Sequence, residues 1–439
     1  MAERAPSGLV LVAEIGSTTT LVNAFAGLDG DAPRLAGQGQ AMTTVDEGDV
    51  RIGLRKAREA LEEAIGPIGR APTLATSSAA GGLSVTVHGL VYDMTARAAR
   101  EAALGAGAVV RLITAGLLGP DDLAQIEEIA PRLILLAGGV DYGEERTVLE
   151  NARRLAGLSW RAPVVYAGNV ALQRRVAAIF AGADREVCLL PNVYPGIDQL
   201  VVEPARKVLH RVFEEQITRA PGMDQVREEI GGRIIPTPGA VMLAAEALYR
   251  EIGDLLVVDV GGATTDVHSV TEGSAALRDR LLEPEPFAKR TVEGDLGVCR
   301  NAPRIAALLG REEIPPALPL RDDEKRLAAE FTRAAVREAV GRHAGRLKQI
   351  FTPAGRVEVI SGRDLTAVRW AIGTGGALTR LPGGESALAE IGGRAGRDLL
   401  LPEAPRVLLD HDYVMAACGV LCACWPRAAM RILRGSLGM

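Results

Sequence analysis

The sequence predicts an α/β protein whose two halves grip one polyphosphate from opposite sides. Three observations carry this reading. Apolar strands alternate with helical stretches over most of the 439 residues, the pattern of α/β architecture. A glycine–hydroxyl turn follows the first strand, at Leu11-Val12-Ala13-Glu14-Ile15-Gly16-Ser17-Thr18-Thr19-Thr20. A turn of the same type recurs at Val257-Val258-Asp259-Val260-Gly261-Gly262-Ala263-Thr264-Thr265-Asp266-Val267. In such a turn, glycines let backbone N–H groups approach a phosphate, and hydroxyls add donors. An acid at the strand end can hold Mg²⁺, directly or through water.

The elements follow in order. Leu9–Glu14 and Leu21–Ala26 read as a hairpin around the first turn. The charged stretch 50–65 reads as a helix, and Thr73–Ser77 as a short strand entering the Gly81-Gly82 turn. Alternation at 83–90 predicts a strand, and the alanine-rich run 95–104 a helix. The apolar run Leu133–Leu136 ends in Ala137-Gly138-Gly139 before a helix over 148–156. Val164–Tyr166 ends in Ala167-Gly168-Asn169 before a helix over 170–180. This strand–glycine–helix repetition resembles successive units of a parallel sheet. Pro236-Thr237-Pro238-Gly239 opens a helix over 240–252, with proline at a helix start. A proline loop at 314–319 precedes a helical stretch predicted over 325–350. A strand at 357–361 and a glycine turn at 371–376 follow. The helix predicted over 413–424 is rich in small residues, and the Arg/Gly-rich tail beyond Trp425 carries no signal.

Composition excludes several classes. A net charge of −5 with no long basic run argues against nucleic acid as partner. Residues 1–8 lack the apolar core of a signal peptide, and no run reaches membrane-spanning length. A cytoplasmic protein with no membrane association is expected. The spacing of Cys418, Cys422 and Cys424 fits neither a zinc site nor a common iron–sulfur run. They read as buried thiols on a helix.

Candidate site residues cluster on the two turns. Asp259 and Glu14 end their strands as charges that need partners, and both are metal candidates. Asp266 follows the second turn and is placed to orient or deprotonate a water. Gly16, Ser17, Thr18 and Thr19 form one phosphate clamp. Gly261, Gly262, Thr264 and Thr265 form the other. Gly373, Gly375 and Gly376 are candidates to face a nucleoside. Weaker candidates are the Ser77-Ser78…Gly81-Gly82 turn, the Gly138-Gly139…Asp141 loop, and Arg290, Glu293 and Asp295 around Gly294. His268 alternates within a strand and reads as a packing or solvent-facing residue.

These residues, in this order, resemble the nucleotide-binding pattern of actin, sugar kinases and Hsp70-type ATPases. Glu14–Thr20 and Asp259–Asp266 are similar to the two phosphate motifs. Gly373–Ala377 is similar to the adenosine motif. Pro238–Ala245 and Met415–Gly419 resemble the two connecting helices. The resemblance implies a two-lobed actin-like ATPase fold with ribonuclease H-like lobes and ATP with Mg²⁺ in the cleft. Lobe I would cover residues 1–237, lobe II 238–404, and a C-terminal helix over 405–439 would return to lobe I. Three further segments, Ala75–Leu83, Leu136–Asp141 and Arg290–Gly297, resemble the glutamate mutase accessory protein family.

That resemblance implies an ATP-dependent reactivating chaperone for an adenosylcobalamin-dependent mutase, coupling ATP turnover to exchange of damaged cobalamin. No Asp-x-His-x-x-Gly element of base-off cobalamin domains is present, so the cofactor would belong to the partner. The superfamily's first phosphate motif usually carries Asp where this chain has Glu14. Slow hydrolysis would suit a switch. The alternatives are a non-hydrolysing nucleotide-binding scaffold and a small-molecule kinase of the same fold.

Overall fold

A computed structural model describes residues 8–44, 48–78, 84–106, 108–216, 223–230, 234–316, 320–352, 355–392 and 398–439. The chain forms two compact units. One comprises Met1–Ala80, Thr218–Leu282 and Phe287–Met439, and the other Gly81–Ile217 with Glu283–Pro286.

The first unit opens with β1 (Leu9–Ile15), β2 (Thr19–Ala26) and β3 (Arg34–Met42), an antiparallel meander. β1 is buried along its whole length, as its apolar run Leu9–Ala13 requires, with Glu14 the one charged residue in it. Helix α1 (Val50–Ile65) starts where the Asp49 carboxylate accepts the Arg51 N–H, a side-chain N-cap. It lies so close to β3 that a Cβ on Gly39 would come within 2.1 Å of the Ala57 carbonyl. β4 (Thr73–Ser77) then pairs parallel to β1.

The second unit alternates strand and helix without interruption. Its elements are β5 (Ser84–Gly89), α2 (Arg97–Gly105), β6 (Val109–Ala115), α3 (Pro120–Ile129), β7 (Leu133–Leu136), α4 (Arg146–Ala156), β8 (Val164–Tyr166), α5 (Gln173–Gly182), β9 (Val187–Leu189) and α6 (Glu203–Gln216). All five strands are parallel, in the order β6-β5-β7-β8-β9. This is a doubly wound order that reverses direction between β5 and β7. Aliphatic and aromatic side chains fill its core, among them Ile134, Leu136, Val164, Tyr166 and Phe180.

Back in the first unit, α7 (Met223–Ile230) precedes β10 (Ile234–Pro236), which pairs parallel to β4 and completes the sheet β10-β4-β1-β2-β3. Helix α8 (Thr237–Ile252) leads into β11 (Leu255–Val260), β12 (Thr265–Val270) and β13 (Ala288–Glu293), a second antiparallel meander. Helices α9 (Ala302–Leu309) and α10 (Asp322–His343) and the hairpin of β14 (Arg346–Thr352) and β15 (Gly355–Ser361) follow. β16 (Trp370–Thr374) pairs parallel to β11. Short helices α11 (Gly376–Arg380) and α12 (Gly384–Ala389) lead to β17 (Arg406–Leu409), parallel to β16. Helices α13 (Met415–Leu421) and α14 (Pro426–Ser436) end the chain.

The two mixed sheets have one topology. Each is a three-strand meander whose first strand pairs parallel with a fourth strand, which pairs parallel with a fifth, order 3-2-1-4-5. That duplication is the ribonuclease H-like, actin-like α/β fold expected from the sequence. Helices α8 and α13 pack between strands of both sheets in one continuous core. They approach so closely that a Cβ on Gly419 would lie 1.9 Å from the Ala240 carbonyl.

Three expectations need correction. The helix expected over 325–350 stops at His343, and Arg346–Thr352 is a strand. Arg, Leu, Lys and Gln favour helix locally, but pairing with Gly355–Ser361 overrides that preference. The tail beyond Trp425 is a helix, α14, whose Ala429, Ile432 and Leu433 enter the core. Of the three clustered cysteines only Cys418 is buried; Cys424 is exposed. Gly81 and Gly82, and residues 317–319 of the proline loop, lie outside the described residues.

Candidate functional site

The two turns predicted to clamp phosphate are closed by the same hydrogen bond. Gly16 N–H donates to the Thr19 carbonyl at 2.9 Å, and Gly261 N–H to the Thr264 carbonyl at 2.9 Å. Each is therefore a four-residue turn between antiparallel strands. Glycine is required at the first, because a Cβ on Gly16 would sit 2.6 Å from the Thr19 carbonyl.

Each turn is braced from behind. Thr43 donates its N–H to the Thr18 carbonyl and its hydroxyl to the Gly16 carbonyl. The Ser17 hydroxyl reaches the Ser78 carbonyl, which places Ser78 beside the first turn. Cys299 and Arg300 both donate backbone N–H to the Gly262 carbonyl, and the Asn301 side chain holds the Ala263 carbonyl.

The turns face one another. A Cβ on Gly262 would lie 2.7 Å from the Thr18 side chain. Arg300 spans the gap and donates to the Ser17 carbonyl at 3.2 Å. Gly16, Ser17, Thr18, Thr19, Gly261, Gly262 and Thr264 thus line one place.

Acidic groups stand behind the turns. Register sets Asp259 directly opposite Asp266, on one face of the sheet. Burial pushes the Asp259 carboxyl well above the usual range, and the charges of Asp266 and Glu14 push it further. Glu14 is buried, accepts a hydrogen bond from the Tyr413 hydroxyl at 3.2 Å, and leaves Oε2 without a partner among the described residues. Its pKa rises from 4.5 to about 7, chiefly through burial, against the Tyr413 hydrogen bond. Asp410 adds negative charge. It accepts from Thr374 Oγ1, Ser436 Oγ and the Val414 and Met415 N–H groups at the start of α13.

Asp266 is held on both oxygens. Arg290 donates Nε to Oδ1 at 2.7 Å and also reaches it through its terminal nitrogen at 2.5 Å, while Thr264 Oγ1 donates to Oδ2 at 3.0 Å. Arg290 is only 2% exposed. Next to it lies His268, fully buried, with neither ring nitrogen hydrogen-bonded among the described residues. Burial and then the Arg290 charge keep this histidine neutral.

Not every candidate converges. Thr265 is fully buried and gives its hydroxyl to the Leu296 carbonyl, on the face opposite Asp266. Gly373 lies inside β16, where a Cβ would strike Leu388 and Leu409. Gly375, by contrast, has φ 87 and lies against Asp259: a Cβ there would be 2.4 Å from Oδ1. Gly376 opens α11 beside it. Glu293 and Asp295 share Arg342 rather than joining the cluster.

Arg290 is among the weaker sequence candidates and joins the cluster through Asp266, whereas Tyr413 and Asp410 carry no sequence motif of their own. The available signal for Asp410 was an acid ending the run Val407-Leu408-Leu409 ahead of a helix.

The donor set suits a hydrated Mg²⁺ bound with a polyphosphate. Among the described residues neither strand-end carboxyl is ion-paired, and Glu14 has an orphaned buried oxygen. Nor, among those residues, do three acidic, His or Cys side chains converge as direct metal ligands. Water and phosphate would supply the rest of the shell, as Mg²⁺ prefers.

Comparison with solved structures finds a nucleotide-free acetone carboxylase at 14% identity and a TM-score of 0.40, covering 94% of this chain and 70% of that one. A glycerol dehydratase reactivase matches at 11% identity and a TM-score of 0.31, covering 94% and 99%. In sequence, the protein named MutL from Clostridium tetanomorphum is 35% identical over 97% of this chain and 98% of its own length. The family described as MutL protein matches residues 10–437. With that coverage and that identity over nearly the full length, the chain belongs to the MutL protein family.

Proposed function

We propose that this chain is an ATP-hydrolysing reactivating factor for an adenosylcobalamin-dependent mutase, a glutamate mutase or a related aminomutase. The meeting of the two phosphate turns in front of Glu14 and Asp259 carries the ATPase part of this reading. Family membership supports the partner. The lobe division at 237/238 and 404/405 belongs to the same proposal.

In this reading the backbone N–H groups of both turns, with the Thr18 hydroxyl, hold the β- and γ-phosphates, while the Ser17 and Thr264 hydroxyls, given to the Ser78 carbonyl and to Asp266, brace the turns. Gly375 and Gly376 let the chain pass close to the nucleoside. Asp259 and Glu14 would hold Mg²⁺ through water, and the ion would supply charge neutralisation at the phosphates. A water oxygen bonds to the γ-phosphorus as the bond to the β–γ bridging oxygen breaks, and the water's proton leaves to phosphate or solvent. Asp266, with Arg290 and Thr264 fixing both its oxygens, serves as a rigid acceptor that orients the water. Positioning and charge neutralisation are most of what phosphoryl transfer needs. Closure on ATP and release after hydrolysis would loosen the mutase's hold on damaged cofactor.

Mg²⁺-dependent ATP hydrolysis tests this, measured alone and with a glutamate mutase, with Asp259→Ala as control. Turnover that rises with the mutase and falls at least about 100-fold in the variant is expected. Tight ATP binding with no turnover in either condition would replace the proposal with a nucleotide-binding scaffold. The buried Glu14, which holds its proton up to about pH 7, is the observation that favours that second reading.

A further inference from the structure

The second unit carries a surface that the nucleotide site leaves unexplained. In a parallel sheet the loops after each strand gather along one edge, and ligands and partners engage there. Among the described residues, eight large apolar side chains of this unit are exposed, and six lie in the loops after β5, β6, β7 and β9: Val91, Tyr92, Leu117, Tyr142, Ile197 and Val201. Tyr142 is 82% exposed and Ile197 74%. Scattered exposed apolar residues need no explanation, but a gathering on one edge does.

The edge is built rather than slack. Asn169 Oδ1 accepts the Tyr142 and Ala171 N–H groups. Asp141 Oδ1 accepts the Val170 N–H and the Asn192 amide, which also reaches the Gly139 carbonyl. The loops after β7, β8 and β9 are thus tied together. Tyr142 also has φ 61, a conformation unfavourable for a bulky side chain. The fold holds an aromatic ring out in water at a cost in backbone energy, as strained functional positions do.

Charge identifies the occupant. The loop segments 90–96, 116–122, 137–145, 167–172 and 190–203 contain eight Asp and Glu and no Lys or Arg. Some of these acids cap helices: Asp122 accepts the Gly119 N–H and Glu144 the Thr147 N–H. Asp93 and Asp198 stand exposed beside the apolar side chains, while Glu145 is paired with Arg175. An acidic rim around aromatic and aliphatic side chains repels phosphates, nucleic acid and anionic membranes. It matches a protein face of the opposite design.

Resting on the reading of this chain as a mutase-coupled ATPase, we infer that this edge docks the partner protein through an apolar patch ringed by Lys and Arg on that partner. Aromatic anchors supply the affinity, and the acidic rim supplies rate and specificity.

The test uses the full chain and glutamate mutase as probe. Tyr142→Asn combined with Ile197→Ser removes the two most exposed anchors, and Asn accepts the left-handed backbone. Asp93→Lys with Asp198→Asn reverses one rim charge and removes the other, Asn again accepting the left-handed backbone at φ 57. Phe351→Ser, equally exposed on β14 of the other unit, is the control. Binding is followed by sedimentation or interferometry at two salt concentrations, with unstimulated ATPase and melting temperature recorded for each variant. At least about tenfold weaker binding in both edge variants is expected, with unchanged unstimulated ATPase and unchanged binding by the control. Wild-type affinity should fall with salt. A mutase that binds the wild type and both edge variants equally overturns the docking edge and leaves the partner reading intact. A mutase that binds no version overturns both.

Discussion

Glu14 is the side chain whose protonation would govern the proposed site. Its folded pKa of about 7 stands above the ordinary 4.5. Between those values the folded protein holds a proton that the unfolded chain has lost. Unfolding free energy therefore falls as pH rises through this window and levels off above about 7. In the proposed reading Mg²⁺ held through water by Glu14 and Asp259 would favour the ionised carboxyl, so Mg²⁺-nucleotide binding should strengthen from about pH 6 to 8, by up to about tenfold per unit below the pKa. Titration calorimetry in buffers of different ionisation enthalpy would show proton release. Glu14→Gln should flatten both profiles; an unchanged slope in that variant would remove Glu14 from the metal site. Arg290 shows what sequence conceals at this scale. Nothing local marks it as the partner of Asp266, because the pairing depends on a register between β12 and β13 across an intervening connection of 17 residues.

Among the elements, the strands that were legible share one cause. Leu9–Ile15, Leu133–Leu136 and Val164–Tyr166 are largely apolar runs closed by glycine or a tight turn, and burial on both faces demands that composition. The paired glycine–hydroxyl turns were legible as turns because glycine spacing is a backbone requirement, written locally. Arg346–Thr352 was not legible, since its strand state comes from its partner strand. Helix α14 was missed for a related reason: its apolar stripe is interrupted by Arg427, Arg431 and Arg434, all of them exposed. Thr265 was misleading because strand alternation turns it away from Asp266. The close pass of α8 and α13 yields a prediction at this scale. Gly419→Ala places a methyl group on the Ala240 carbonyl, and overpacking of this kind costs about 1–3 kcal/mol. Urea denaturation should show a lower midpoint with an unchanged slope. A wild-type midpoint would mean that the helices slide apart at no cost.

For the molecule as a whole, two compact units imply two calorimetric transitions. A nucleotide bound only to the unit holding both turns should stabilise that unit alone, by about 2.7 kcal/mol at a concentration about 100 times Kd. Mg²⁺-ADP should shift one transition upward and leave the other in place; a common shift of both would contradict this assignment. The threading of the units has a further consequence, for synthesis. Residues 81–217 form a nearly continuous stretch with neighbour-to-neighbour parallel pairing, whereas the other unit waits for distant pieces. β4 meets β10 only after more than 150 residues have been made, and Asp410, Tyr413 and the closing helices α13 and α14 emerge last. On the ribosome the acidic, tyrosine-bearing edge therefore takes shape early, while the two glycine–hydroxyl turns and the acids behind them come together only near chain release. The edge proposed for docking would thus be finished before the proposed nucleotide site exists.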